Sequence, residues 1–323
     1  MKIVLVGAVD FSLHCLEKIV QAEGDVVGVV TLSPADGAGH SDYADLSGTA
    51  NRLNIPLLCL RNVNAEESLE AIRSLQPDVI FVLGWSRLVG RDFLAIPPKG
   101  CVGVHPALLP KNRGRHPLIW ALVEGLDESG LTFFYLNEGA DSGDILWQQT
   151  FPITLEDNAS TLYEKIKSLA SKAIPEFLPQ LAANNAPRTP QDHTKATYWR
   201  KRSEDDGEID WSASSLQCHN LIRALAHPYP GAHTFLDGHK AVIWKSRLPE
   251  ETSAPSWAHL PPGVIVDETG DALLVRTGDG HLEIMDFETG AQVMAAVGQH
   301  FEHSAPAPVP TGPAGKPMTN KAG

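Results

Sequence analysis

The sequence predicts an α/β protein, a doubly wound, mostly parallel sheet followed by a small C-terminal β-barrel-like domain. Three observations predict it. Short apolar runs alternate with segments of helical periodicity over the first half. A polar, Pro-containing stretch interrupts the chain at residues 183–206. Short strand-like runs separated by Asp-Gly turns follow it. With 323 residues, 43% hydrophobic and 20% charged content, the chain has the size and mixture for two globular cores.

The elements follow in order. Residues 3–9 are continuously apolar and read as a buried strand. Ser12 is a candidate N-cap for a helix over 13–22, where Leu13, Leu16, Ile19 and Val20 recur at helical spacing. Further buried strands are expected at 26–32, 55–60, 79–84 and 102–105, with helical segments at 46–53 and 66–75. A helix near 118–124, strands at 131–137 and 145–153, and a long helix over 161–181 complete a first domain spanning 1–182. Residues 183–206 are expected to be a linker. Residues 207–297 carry a helix near 216–226 and short strands, with Asp237-Gly238 and Asp279-Gly280 as hairpin turns. Residues 298–323, rich in Pro, Ala and Gly, are expected to be a disordered tail.

Charge and cysteine usage narrow the class. A formal charge of −13 provides no general attraction to nucleic acid, which disfavours DNA outright and leaves tRNA dependent on a local basic patch. Cys15, Cys59, Cys101 and Cys218 are scattered, so neither a metal site nor a disulfide framework is suggested, and reduced cytoplasmic thiols are expected. The apolar start is too short for a leader or a spanning helix, so no membrane role is expected. Oligomeric state is not legible.

The chemistry concentrates between residues 102 and 145. His105 ends a strand and opens His-Pro-Ala-Leu-Leu-Pro; Asp141 follows 36 positions later within Glu-Gly-Ala-Asp-Ser-Gly-Asp. A histidine at a strand end and an aspartate on a Gly-flanked loop form a candidate acid/base pair at the carboxyl edge of the sheet, where such folds bind ligands. Taken alone, His105 could be structural and Asp141 could cap a turn. The Gly7-Ala8-Val9-Asp10 turn lacks the spacing of a dinucleotide fingerprint. Asp10, Phe11 and Ser12 leave the sheet on the ligand face and are candidates to touch an acceptor. Arg113 and Arg115 could be solvated surface charge. Beside the proposed site of an acidic chain, their guanidinium forks favour a grip on phosphate or carboxylate.

These motifs resemble the folate-dependent formyltransferases, the family of methionyl-tRNA and amino-sugar formyltransferases, with their Asn-x-His, Ser-Leu-Leu-Pro and Asp signature. His105, Ala107-Leu108-Leu109-Pro110 and Asp141 match it, while Gly103 stands where the family has asparagine. Pro110-Lys-Asn-Arg-Gly-Arg-His-Pro117 and Trp120 are most similar to the sugar-modifying branch. Ile209-Asp-Trp, Ile222-Arg-Ala and Pro228-Tyr-Pro-Gly-Ala resemble the family's second domain, so the likeness covers almost the whole chain. It implies a Rossmann-like first domain with an OB-like second one, and 10-formyltetrahydrofolate as co-substrate with no metal. The pterin pocket it implies lies near Arg87, Leu88, Val89 and Leu109, closed by the loop carrying Asn137, Ala140 and Asp141. His105 would then stabilise the oxyanion or exchange its proton, and Asp141 would orient the imidazole.

The leading expectation is formyl transfer to the primary amine of a small acceptor, a nucleotide-linked amino sugar. Residues 33–45, basic in methionyl-tRNA formyltransferases, contain no Lys or Arg here, which counts against tRNA. Methionyl-tRNA, a hydroxyornithine-type amine, a 10-formyltetrahydrofolate hydrolase and a silent folate binder are the alternatives.

Overall fold

The first domain builds the alternation that its apolar periodicity predicts. The computed structural model describes residues 1–37, 42–249, 257, 259–289 and 295–303. Its first elements are β1 (Lys2–Val6), α1 (Asp10–Gln21), β2 (Asp25–Thr31), α2 (Pro34–Gly37), α3 (Ser47–Arg52), β3 (Leu57–Cys59), α4 (Glu66–Ser74), β4 (Val79–Val82), α5 (Arg91–Leu94) and β5 (Cys101–His105). There follow β6 (Arg113–Gly114), α6 (Pro117–Val123), β7 (Glu128–Tyr135), β8 (Ile145–Pro152) and α7 (Ala159–Ala182). The sheet has seven strands in the order β3-β2-β1-β4-β5-β7-β8. It is parallel through β5, and β7 and β8 then pair antiparallel.

Strand periodicity divides the core. Ile3, Leu5, Phe81 and Phe133 face α1 and α7, where Leu16, Ile174 and Phe177 meet them. Val4, Val6, Ile80 and Val82 face the opposite way, onto Leu69, Ile72 and Phe93. Helix α7 buries Leu162, Ile166, Leu169, Ala173 and Phe177 at three- and four-residue spacing. Its N-cap is Asn158, whose side chain accepts from Thr161 N at 3.0 Å.

One helix start differs from the sequence reading. Helix α1 begins at Asp10 with Val9 as N-cap, so Ser12 lies inside its first turn. The Ser12 hydroxyl accepts from Val9 N at 3.2 Å and donates to Leu83 O at 2.6 Å, which fastens the helix to the end of β4.

Residues 183–206 connect the domains but are not a free tether. Thr189 bridges Ile145, and β9 (Tyr198–Trp199) pairs in parallel with β6. Gly114 is required in that pairing: its φ is +108°, and a Cβ there would stand 2.2 Å from Trp199 O. The segment is a strap laid over the proposed site.

The second domain carries α8 (Ser215–Leu225), β10 (Ala232–Leu236), β11 (His239–Arg247), β12 (Ile265–Thr269), β13 (Ala272–Arg276), β14 (His281–Thr289) and β15 (Phe301–Glu302). The sheet order is β12-β13-β14-β11-β10-β15. Its two ends meet, because Val264 bridges His300 and Phe301 N donates to Gly263 O at 2.9 Å. That closure makes the expected barrel and removes the open edges. It also alters the C-terminal boundary: Gly298 and Phe301 belong to the barrel, while residues 304–323 lie outside the described residues. Asp237 and Gly238 both have positive φ, +50° and +75°, the left-handed pair that a two-residue hairpin needs. Among the described residues, no helix is long and apolar enough to cross a membrane.

Candidate active site

His105 is the last residue of β5 and only 4% exposed. Its Nε2 lies 2.7 Å from Asn112 O, an atom that can only accept, so Nε2 carries a hydrogen. Its Nδ1 lies 3.7 Å from Asp141 Oδ2. That separation is an ion-pair distance rather than a hydrogen bond. Asp141 itself has a left-handed φ of +49°, and its Oδ2 accepts from Gly114 N at 2.8 Å. The fixed tautomer leaves Nδ1 as the ring atom that gives or takes a proton, with the carboxylate facing it.

The loop after His105 is held from below. Thr132 Oγ1, fully buried, donates to Ala107 O at 2.6 Å, and Gln148 Nε2 donates to Leu109 O at 2.9 Å and to Thr132 Oγ1 at 2.8 Å. The Leu109–Pro110 peptide is cis. Sequence reasoning missed both residues. Their signal was weak: a Thr and a Gln at paired positions of β7 and β8, each opposite the other in register.

Gly103 lies two residues before His105, and hence on the same face of β5. A Cβ there would meet Leu136 Cδ2 at 2.5 Å and Phe134 Cε1 at 3.4 Å, so hydrocarbon fills the room beside it.

The residues expected around the donor lie on three loops, with Leu109 on the one after β5. Arg87, Leu88 and Val89 follow β4, and Asn137, Ala140 and Asp141 follow β7; Arg91 and Glu138, paired at 3.2 Å, link the two loops. Leu88 is 81% exposed and Leu109 is buried. Val89 packs on the second core cluster, and Arg87 donates to Arg61 O. Asn137 Oδ1 accepts from Gly139 N at 3.0 Å and from Ser142 Oγ at 2.9 Å, which shapes its loop, and Ala140 is exposed. Asn64, also missed, receives Gly90 N at 2.6 Å and donates to Leu88 O at 2.9 Å, clamping the first loop. Trp85 Nε1 is buried with no hydrogen-bond partner.

The five residues expected at the acceptor separate. Ser12 and Arg113 lie inside the protein, 0% and 1% exposed, so their roles are internal. Arg113 Nη2 donates to Gln191 Oε1 at 2.6 Å and its Nη1 to Tyr198 Oη at 2.9 Å. Gln191 Nε2 in turn donates to Asp141 O at 3.0 Å and Gly143 O at 2.6 Å, so strap and arginine together hold the Asp141 loop. Arg113 could not be told from a surface arginine by sequence. Asp10 pairs with Lys167 at 3.1 Å, and Phe11 is 5% exposed along an apolar cavity beside Pro106. Arg115 Nη1 donates to Ser86 O at 3.0 Å and faces a larger cavity.

Burial pushes the Cys101 and Cys218 thiols up to about 12, far from a reactive thiolate. Among the described residues, no group of three or more His, Cys, Asp or Glu could hold a metal ion.

A Rossmann-like sheet ending in a His/Asp pair is followed by a closed barrel, and comparison with known proteins says which family has this arrangement. The formyl transferase family model matches residues 1–178, and its C-terminal domain model matches 201–299. The chain belongs to the folate-dependent formyltransferase family and is a formyl transferase. It is 31% identical to the methionyl-tRNA formyltransferase of Alkaliphilus oremlandii over 290 residues, 89% of this chain and 92% of that protein. With the enzyme of the same name from Pelotomaculum thermopropionicum it shares 32% over 299 residues, 92% of this chain and 94% of that one. A solved N-formyltransferase from Helicobacter canadensis, in complex with folinic acid and dTDP-3-aminofucose, has the same fold. It superposes with a TM-score of 0.67 at 21% identity, over 88% of this chain and 98% of that one.

Proposed function

We propose that the chain transfers a formyl group from 10-formyltetrahydrofolate to the primary amine of a small anionic acceptor, a nucleotide-linked amino sugar. The observation that carries the reaction is the His105–Asp141 pair at the carboxyl end of β5. The amine nitrogen attacks the formyl carbon, the bond from that carbon to N10 of the folate breaks, and one amine proton passes to N10. Nδ1 of His105 is the shuttle for that proton, and Asp141 balances the imidazolium. One feature of the donor loops fits a bound pterin: the exposed Leu88 side chain, which a flat heterocycle would cover.

The small acceptor is favoured by a cavity of about 170 Å³ lined by Val104 and Pro106, the neighbours of His105, which shares Asp42, His116 and Tyr229 with one of about 890 Å³, and by the absence of Lys and Arg in 33–45. Methionyl-tRNA is the second reading, supported by the name and full-length coverage of the curated relatives. The test is tetrahydrofolate release with mass spectrometry over a panel of nucleotide-linked amino sugars, methionyl-tRNA and hydroxyornithine, with His105→Ala as control. Formylated sugar lost in the control supports the first reading. Formylation confined to methionyl-tRNA replaces it with the second, and formate release without any amine makes the protein a hydrolase.

A further inference from the structure

The strap between the domains is hydrogen-bonded to the surroundings of both His105 and Asp141. On the His105 side the connection runs through Asn112. The Asn112 carbonyl faces His105 Nε2 at 2.7 Å, and so it decides which ring nitrogen carries the hydrogen. Asn112 has a left-handed φ of +61°, a conformation that needs support from its surroundings to point the carbonyl at the ring.

Thr197 supplies that support from the strap. Its hydroxyl accepts from Asn112 N at 2.8 Å and donates to Asn112 Oδ1 at 3.0 Å. Its carbonyl accepts from Arg113 N at 2.9 Å. Arg113 N belongs to the same planar peptide as the Asn112 carbonyl, so a bond to the N–H on one edge sets the direction of the C=O on the other. The peptides before and after Asn112 are thus both bonded to the one threonine. Thr197 itself is exposed and belongs to neither core cluster, so its hydroxyl acts on geometry rather than through apolar burial.

The same stretch of strap reaches the other partner. Asp141 Oδ2 accepts from Gly114 N at 2.8 Å, and Gly114 pairs with Trp199 in the β6–β9 ladder. Gln191, further back on the strap, holds the Asp141 carbonyl at 3.0 Å. The imidazole and the carboxylate therefore take their positions from one segment, although they stand on different strands of the sheet.

We propose that Thr197 is a positioning residue for the reaction. Through Asn112 it holds His105 in the tautomer with hydrogen on Nε2 and leaves Nδ1 open toward Asp141. The assignment rests on the reading of His105 as the proton shuttle. It adds that the segment joining the domains is a working part of the site.

The first measurement needs no substrate. Ring-nitrogen chemical shifts of the full chain, labelled at histidine, are recorded at about pH 8.5, where an ordinary histidine is neutral and its two tautomers are distinct. His105→Ala assigns the resonances. The parent shows His105 with hydrogen on Nε2. Thr197→Val, of nearly the same shape but without the hydroxyl, shows a mixture of tautomers, and Thr197→Ser restores the parent pattern. Thr194→Val removes a strap hydroxyl that bonds Asp192 Oδ1 at 2.6 Å instead, and leaves the His105 signals unchanged. All three strap variants alter exposed positions and melt like the parent.

The second measurement is tetrahydrofolate release with the nucleotide-linked amino sugar or methionyl-tRNA, whichever the panel above shows to be formylated. Thr197→Val lowers kcat by about tenfold at unchanged KM, and lowers it no further in the His105→Ala background. The proposal is overturned by a parent with hydrogen on Nδ1, or by His105 resonances that ignore Thr197→Val. It is equally overturned if the valine lowers kcat by the same factor in both backgrounds, as a purely structural role would. If no amine of the panel is formylated, the proposed function fails, and the tautomer measurement still decides the role of Thr197.

Discussion

Leu136 occupies the space beside Gly103: a Cβ on Gly103 would stand 2.5 Å from Leu136 Cδ2 and 3.2 Å from Leu136 Cγ. Leu136 is half-buried with its side chain packed on the second core cluster, so its side chain must give way before a Cβ fits at Gly103. The family's asparagine is therefore not simply missing; its room is filled. Gly103→Asn alone overpacks the strand and lowers stability by about 1–3 kcal/mol without raising the rate. Gly103→Asn with Leu136→Ala makes the room, and kcat rises by about tenfold or more, since one oxyanion donor is worth on the order of 10² to 10³ in rate. Thermal melts and single-turnover rates on both variants check this; a faster single variant would refute the packing argument.

The proton path is tested at both ends. His105→Ala removes the proposed shuttle and is expected to lower kcat by about 10² to 10⁴. Asp141→Asn keeps an oxygen to accept from Gly114 N but discards the charge facing Nδ1, and costs a similar factor with little change in folate affinity. Folate affinity from tryptophan quenching, read beside kcat, separates chemistry from binding. Loss of folate affinity in parallel with kcat would make Asp141 a donor-binding residue first.

Gln191 joins the strap to the reacting loop. Gln191→Leu strands the Asp141 and Gly143 carbonyls and takes one partner from Arg113 Nη2, which keeps His193 Nδ1 at 3.0 Å. A loss of about 1–3 kcal/mol per stranded group is the expected scale, with kcat falling more than KM rises as the Asp141 loop relaxes. Gln191→Glu, which can still accept from Arg113, recovers stability but not the two donations to the loop. Equal kcat in all three forms would reduce Gln191 to a structural residue.

The sheet was legible because burial on both faces leaves continuous apolar runs, as in β1 and β4, and because α1, α4 and α7 keep helical spacing. His105 and Asp141 were legible through the family motif and meet at the sheet edge. Other features leave no periodic trace. Strands β6 and β9 are two residues each, too short for a pattern, so the strap read as polar linker. Arg113 and Arg115 are two positions apart and look alike in sequence, yet one is buried on Gln191 and the other faces the interdomain cavity. Barrel closure through Gly263 and Phe301 depends on a contact spanning the domain, and proline-rich flanking sequence masked it.

His219 makes the junction between the domains sensitive to acid. It is 8% exposed on α8, with Nδ1 2.9 Å from Ser246 Oγ in the barrel and Nε2 3.3 Å from Leu155 O in the first domain. Burial depresses its pKa below the ordinary 6.5, and Arg223 adds to the effect, while the Leu155 carbonyl opposes it. A depressed histidine is neutral in the fold and takes up its proton more readily once unfolded. Its stabilising contribution is therefore complete above pH 6.5 and lost as the pH falls from there through its folded pKa. His219→Gln can still bond Ser246 and carries no titration, so the pH dependence of its unfolding free energy below pH 6.5 is shallower than the parent's, by at most about 1.4 kcal/mol per pH unit for one proton. Denaturant melts at intervals from pH 8 to pH 5 measure it. Superimposable slopes for parent and variant would mean that the ring is protonated equally in both states, and that the acid sensitivity lies with His14, His116, His233 or His281, each depressed by burial in the same sense.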